Sequence, residues 1–144
     1  MLEVHKKKYH PLYWDIAEVT ANQSMATRKK VGSCLVTSNG MIAIGYNGMP
    51  SGFDNTCEEY VDGKLTTKKE VVHAERNTLD KLTLEGVSSR GAIIFITLAP
   101  CLECAKSLYN AGVVAVYYKE DYRCSDGVDF LKHSGIYVAK KGEY

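Results

Sequence analysis

Ala92-Ile93-Ile94-Phe95-Ile96-Thr97-Leu98 is a continuous apolar run, and no other segment constrains the fold as strongly. It lacks the alternation of a strand with one wet face, which is the mark of a buried central strand. The segments around it follow. Pro100 breaks the chain, and a helix is predicted over residues 101–110, stopped by Gly112. Residues 113–118 read as a strand. Ser125 or Asp126 caps a short helix through His133, stopped by Gly135, and residues 136–139 form a last strand. Upstream, a helix over residues 73–84 ends before Gly86.

The N-terminal part has its own pattern. Pro11 opens a helix in which Leu12, Ile16 and Val19 recur at steps of four and three, running to about residue 25. Residues 32–37 and 41–46 read as paired strands joined by Ser38-Asn39-Gly40, since Asn-Gly tolerates the positive φ of a tight turn. Residues 47–72 read as one long loop rich in glycine and charge, uncommon in a small chain unless it serves function. The order is helix, β-hairpin, then α-β-α-β-α-β. It predicts an α/β sandwich with a mixed sheet, built as one domain over residues 1–144.

Composition narrows the function. Hydrophobic residues make up 45% of the 144, enough for one real core. The 18 basic and 17 acidic residues leave a net charge of +1, which weighs against a nucleic-acid partner. Lys6, Lys7 and Lys8 read as a solvated end. No apolar run approaches the ~20 residues that span a bilayer, and no signal-peptide pattern opens the chain, so no membrane partner and a cytoplasmic location are expected. Five cysteines, two of them in Cys-x-x-Cys, point in a reducing compartment to metal or catalysis rather than a disulfide framework.

Two motifs carry chemistry. His73-Ala74-Glu75 opens one predicted helix and Pro100-Cys101-Leu102-Glu103-Cys104 opens another. The 24 residues between Glu75 and Pro100 suffice for a helix, a turn and the central strand, so both helix starts return to the same end of the sheet. Cys101 and Cys104 stand three apart on one helical face and can share an ion. His73, Cys101 and Cys104 make three protein ligands. A structural zinc site would have a fourth, whereas a catalytic one keeps that position for water. Helix N-termini add positive potential that favours thiolates. Glu75, two residues past the histidine, faces the open position as general base and proton shuttle. Alone, either motif has ordinary explanations, including structural zinc or a redox pair for Cys-x-x-Cys. Together, in this order and at helix starts, they favour catalysis. His5, His10 and His133 read as surface or packing residues.

His-x-Glu followed by Pro-Cys-x-x-Cys is the signature of zinc nucleobase deaminases. The chain resembles the deoxycytidylate (dCMP) deaminase family from about Tyr13 to Val138. Ser24, Arg28, Val31 and Gly32 match the family's Ser, Arg and Val-Gly pattern. Gly45-Tyr46-Asn47-Gly48-Met49-Pro50-Ser51-Gly52 matches its Gly-Tyr-Asn-Gly-x-Pro-x-Gly. His73 to Asn77 match His-Ala-Glu-x-Asn, with Thr78 where alanine is usual, and Tyr122-Arg123 match its Tyr-Arg pair.

The resemblance implies a cytidine-deaminase-like three-layer α/β/α sandwich with a five-stranded mixed sheet. It implies hydrolysis of dCMP to dUMP and ammonia, one catalytic Zn²⁺ per chain, and an oligomer, commonly a hexamer. It also implies activation by dCTP and inhibition by dTTP, each with Mg²⁺. Carried over residue by residue, Asn47 contacts sugar or base, and backbone around Ala74 and Ala99 lines the cytosine pocket. Ser24, Arg28 and Arg123 are candidates for the 5′-phosphate, Arg123 together with Tyr122, since guanidinium forks match phosphate oxygens. Some members hold a second, structural zinc. Here one of its ligand positions is Ala26, and residues 48–72 offer Cys57 but no histidine, which puts that second ion in doubt.

Other readings stay open. A relative could act on dCTP, on a nucleoside or free base, or on adenosine in tRNA, though near-neutral charge weighs against tRNA. A zinc-stabilised binding module without catalysis would not need Glu75.

Overall fold

The computed structural model describes residues 5–144. A 3₁₀ turn, Lys7–Tyr9, leads into helix α1, His10–Ala21, with Pro11 in its first turn. There follow β1, Gly32–Val36; β2, Ile42–Tyr46; β3, Glu58–Val61; β4, Lys64–Thr67; and α2, Ala74–Glu85. The remainder alternates: β5, Ile93–Leu98; α3, Leu102–Asn110; β6, Ala115–Glu120; α4, Asp126–His133; β7, Tyr137–Lys140. Five strands form one mixed sheet in the order β2-β1-β5-β6-β7. Strand β1 runs antiparallel to both β2 and β5, and β5, β6 and β7 are parallel.

The apolar run is the middle strand, β5, and its neighbours explain why it is apolar throughout. Ile93 and Phe95 point into a core with Tyr13, Trp14 and Ala17 of α1. Ile94 and Ile96 point the other way, against Leu79 and Leu82 of α2, Leu108 of α3 and Leu131 of α4. Helices therefore cover both faces, giving the three-layer α/β/α sandwich with the five-stranded mixed sheet expected from the sequence.

Two local expectations need correction. The Leu12, Ile16, Val19 stripe is not the buried face of α1: Leu12 and Val19 are 54% and 63% exposed, while Tyr13, Trp14, Ala17 and Ala21 are buried. The face that wins offers larger rings; Trp14 meets Phe95 edge-on at 5.1 Å and Tyr13 meets it at 5.4 Å. The helix also ends at Ala21, short of residue 25. Ser24 has left it: its hydroxyl donates to the carbonyl of Asn47 and accepts from the amide of Ala26.

The second correction concerns residues 47–72. They are not one loop. Strands β3 and β4 pair antiparallel around Asp62-Gly63. Both residues have positive φ, 50° and 76°, which is the requirement of a two-residue type I′ turn. Gly48 bridges Val72, so the excursion is an arm whose ends meet at its base.

Candidate active site

His73 and Cys101 are the N-caps of α2 and α3, and both have extended backbone. Each gives its carbonyl to the first helical turn, to Asn77 and Ala105 respectively. Neither side chain caps its helix, so the imidazole and the thiol are left for other work. The first turn of α2 is pinned to the sheet from below. The Ser33 hydroxyl on β1 lies 2.6 Å from the Thr78 hydroxyl and donates to the Ala74 carbonyl. Strand β5 runs through Ala99 and Pro100 directly into α3, so the central strand sets where Cys101 stands.

The three expected ligand atoms converge. The Nδ1 of His73 lies 3.6 Å from Cys101 Sγ and 3.4 Å from Cys104 Sγ, and all three lie within 4.8 Å of one another. Tetrahedral coordination, with Zn–S about 2.3 Å and Zn–N about 2.0 Å, puts nitrogen and sulfur about 3.5 Å apart. The donor set therefore fits zinc in both chemistry and spacing. Charge distribution agrees. Hydrogen bonds from Cys104 and then His73 bring the Cys101 thiol down to about 3. The same pairing, with burial, pushes Cys104 up, and Cys101 holds His73 above its usual range. A divalent cation among these atoms would take over the role of those protons.

Glu75 is 4% exposed, and burial pushes its carboxyl up to about 7. A carboxyl near neutrality can both accept and return a proton, as a shuttle must. It neighbours the Cys104 thiol and the His73 ring without belonging to the ligand triad.

A cavity of about 570 Å³ opens over these groups. His73, Ala74, Glu75, Ala99 and Cys101 line its inner part, and Arg28, Asn47, Tyr122 and Arg123 also line it. Tyr122 packs against a small cluster of Ala99, Tyr118 and Val128, and the Arg123 guanidinium sits 5.2 Å over its ring. Asn47 accepts from the Val31 amide and donates to the Lys29 carbonyl, so it braces the wall as well as lining it. Ser24 alone among the expected contacts stays outside. It is 3% exposed, spent on backbone groups, and does not line the cavity. Ala26 and Cys57 are both buried at the cavity's edge, and the Cys57 thiol donates to the Asn55 carbonyl.

Sequence reasoning missed the wall made by β4. Lys64, Leu65, Thr66 and Thr67 all line the cavity, as does Glu58 of β3. The Asp62-Gly63 dipeptide between two short runs was the available signal.

Comparison with known proteins agrees with this geometry. A family profile describing the cytidine and deoxycytidylate deaminase zinc-binding region matches residues 7–120. The chain is 35% identical to the probable deoxycytidylate deaminase of Drosophila melanogaster, over 91% of this chain and 77% of that one. It is 36% identical to ComE operon protein 2 of Bacillus subtilis, over 74% of this chain but only 57% of the other's length. The dCMP deaminase of cyanophage S-TIM5, solved with dCMP and dUMP, superposes with a TM-score of 0.86. That pair is 42% identical, with 94% of this chain and 98% of the other covered. With the profile matched over most of its length and the fold shared with the phage enzyme, the chain belongs to the cytidine and deoxycytidylate deaminase zinc-binding family.

Proposed function

We propose that this protein hydrolyses dCMP to dUMP and ammonia. The reading rests on one feature: a single cavity joins His73, Glu75 and Cys101 to the guanidinium groups of Arg28 and Arg123. A cytosine ring at the first end and a 5′-phosphate at the other would satisfy both chemistries. The similarity to a phage enzyme solved with dCMP and dUMP supports the same substrate.

His73, Cys101 and Cys104 would hold the zinc ion, one per chain, and the chemistry such an ion supplies is activation of water for attack near neutral pH. The chain's own residues do the rest. Glu75 takes the proton from the attacking water as its oxygen bonds to C4 of the ring. The same carboxyl returns a proton to N3, and then supports protonation of the exocyclic amine. The C4–N4 bond breaks, ammonia leaves, and the uracil carbonyl remains. Burial keeps Glu75 near the proton affinity this traffic needs.

Ammonia release from dCMP, dCTP, deoxycytidine and a tRNA anticodon stem tests the assignment. Preference for dCMP is expected. Faster turnover of dCTP would move the phosphate subsite outward, and turnover of the tRNA stem alone would replace the reading.

Regulation belongs to the same proposal. A second concavity is lined by Met49, Phe53, Glu59, Lys68, Lys69 and Glu70, and it shares Thr66 and Thr67 of β4 with the first. Lys68 and Lys69 offer charges to the phosphates of a nucleoside triphosphate, Glu59 and Glu70 offer carboxylates to its Mg²⁺, and a shared wall gives it a route to the substrate cavity. Chains would assemble through exposed apolar side chains such as Leu12, Val19 and Met25, in the hexamer common to the family. Rates against dCMP concentration should be sigmoidal, hyperbolic with dCTP and Mg²⁺, and suppressed by dTTP. Hyperbolic curves that ignore both nucleotides would remove regulation and leave the deaminase standing.

A further inference from the structure

The arm formed by β3 and β4 walls the substrate cavity, yet it has little to lean on. Its strands pack extensively only on each other. At its far end Tyr60 and Val61 are 76% and 47% exposed. Backbone pairing closes its base, Gly48 with Val72 and the Lys68 amide onto the Cys57 carbonyl, and three further hydrogen bonds tie the near end to residues 27 and 28. The Oε2 of Glu58 accepts from the amides of Thr27, at 2.9 Å, and Arg28, at 3.2 Å. The Arg28 guanidinium in turn donates to the Thr67 hydroxyl, at 3.0 Å. Glu58 and Thr67 are directly opposite each other in the hairpin register. Both strands therefore grip residues 27 and 28, from the open end of the arm.

We propose that Glu58 is a positioning residue, whose carboxylate clasps the arm to residues 27 and 28 and so sets Arg28 and β4 around the phosphate end of the substrate. The inference rests on the dCMP reading above. Its chemistry is specific. Two amides converge on one oxygen of a residue that is 8% exposed, so water replaces it poorly. A charged acceptor makes such bonds markedly stronger than a neutral amide of the same shape. Releasing Glu58 frees the backbone that carries Arg28 and one end of the wall made by Lys64–Thr67 together. The zinc ligands and Glu75 sit on α2 and α3, anchored to the main sheet, and are left in place.

The test uses the zinc-loaded full chain. Glu58→Ala should raise KM for dCMP about tenfold while kcat and zinc content stay within about twofold, and KM for deoxycytidine, which lacks the phosphate, should move far less. Amide hydrogen exchange over residues 58–67 should quicken with no change in β5 or α3. Glu58→Gln, which keeps the shape and will not misfold for lack of volume, should show about a threefold rise in KM and an intermediate exchange rate. Unchanged KM and exchange in either variant overturns the clasp. So does a fall in kcat with loss of zinc at unchanged KM, which would mark a purely structural role. Should the native protein not turn over dCMP, exchange alone decides: faster exchange over residues 58–67 supports the clasp and unchanged exchange sinks it.

Discussion

Glu75 occupies the second position of α2, where a helix N-terminus favours the charged carboxylate, yet burial is the larger influence and lifts its carboxyl to about 7. A surface glutamate at the same helical position would stay ionised and make a poor proton carrier. Glu75→Gln keeps the volume and removes the titration. It should retain zinc by metal analysis and lose about 10²–10⁴ in turnover, measured in single-turnover assays. Retention of clearly more than about a hundredth of the rate, the smallest loss that range allows, would assign the proton traffic to another group. Arg123 presents the converse case, an exposed side chain whose place is set by its neighbour: Tyr122 packs on Ala99, and the guanidinium lies over that ring.

Helix α4 reaches the site through the absence of a side chain. Gly127 lies in its first turn, and a Cβ there would come within 2.2 Å of the Pro100 carbonyl and 2.8 Å of the Cys101 carbonyl. The helix thus rests bare backbone on the stretch that presents Cys101. Gly127→Ala should push that stretch away and weaken zinc binding about 10–100-fold, the range seen when groups supporting a metal ligand are disturbed. Competition against a chromophoric chelator measures it, with circular dichroism to establish that the fold is kept. Native affinity would mean that α4 yields and Cys101 does not. The arm of β3 and β4 works in the opposite sense, through a polar clasp rather than close backbone contact.

At the scale of the molecule, the first helix is tied to the last described residue. The Trp14 Nε1 proton is donated to the Tyr144 hydroxyl, and that hydroxyl lies 3.0 Å from His10 Nδ1. His10 Nε2 faces the His5 carbonyl at 3.4 Å. A neutral imidazole protonated at Nε2 satisfies every partner, with Tyr144 donating to Nδ1. Burial lowers the His10 pKa first of all, and the His5 carbonyl, which favours the charged ring, does not outweigh it; Lys7 and His5 add to the lowering. The unfolded chain therefore binds the extra proton more readily than the folded one. This network's contribution is complete above the ordinary value of 6.5 and is lost as pH falls below it, toward and through the folded-state value. Thermal unfolding should show a stability decline on acidification through that window, and His10→Gln should flatten its slope. An identical slope in the variant would assign the decline to carboxylates instead.

Spacing along the chain determined the parts of this protein that depend on local chemistry. Cys101 and Cys104 share a helical face because of the helix period, Glu75 follows His73 by two, and the unbroken run at β5 requires cover on both faces. Those features make the metal triad, the acid and an α/β sandwich with a mixed sheet legible in the sequence; the three layers and five strands follow from the family resemblance. The face of α1 was not legible, because Leu12 and Val19 repeat at helical spacing as well as Tyr13, Trp14 and Ala17 do, and only the rings of Phe95 and Tyr117 on the facing sheet break the tie. The family pattern makes Ser24 a candidate phosphate contact; in the fold its hydroxyl meets the Asn47 carbonyl, 23 positions away, and the Ala26 amide, and no local pattern announces those partners. The cavity wall is the same kind of case. Glu58, Thr67 and Arg28 lie up to 39 positions apart, and no local pattern says that one carboxylate will meet two amides there. Local periodicity reports which way a side chain can point, while the partner it finds depends on which segments the packed sheet brings together, and that was decided only in three dimensions.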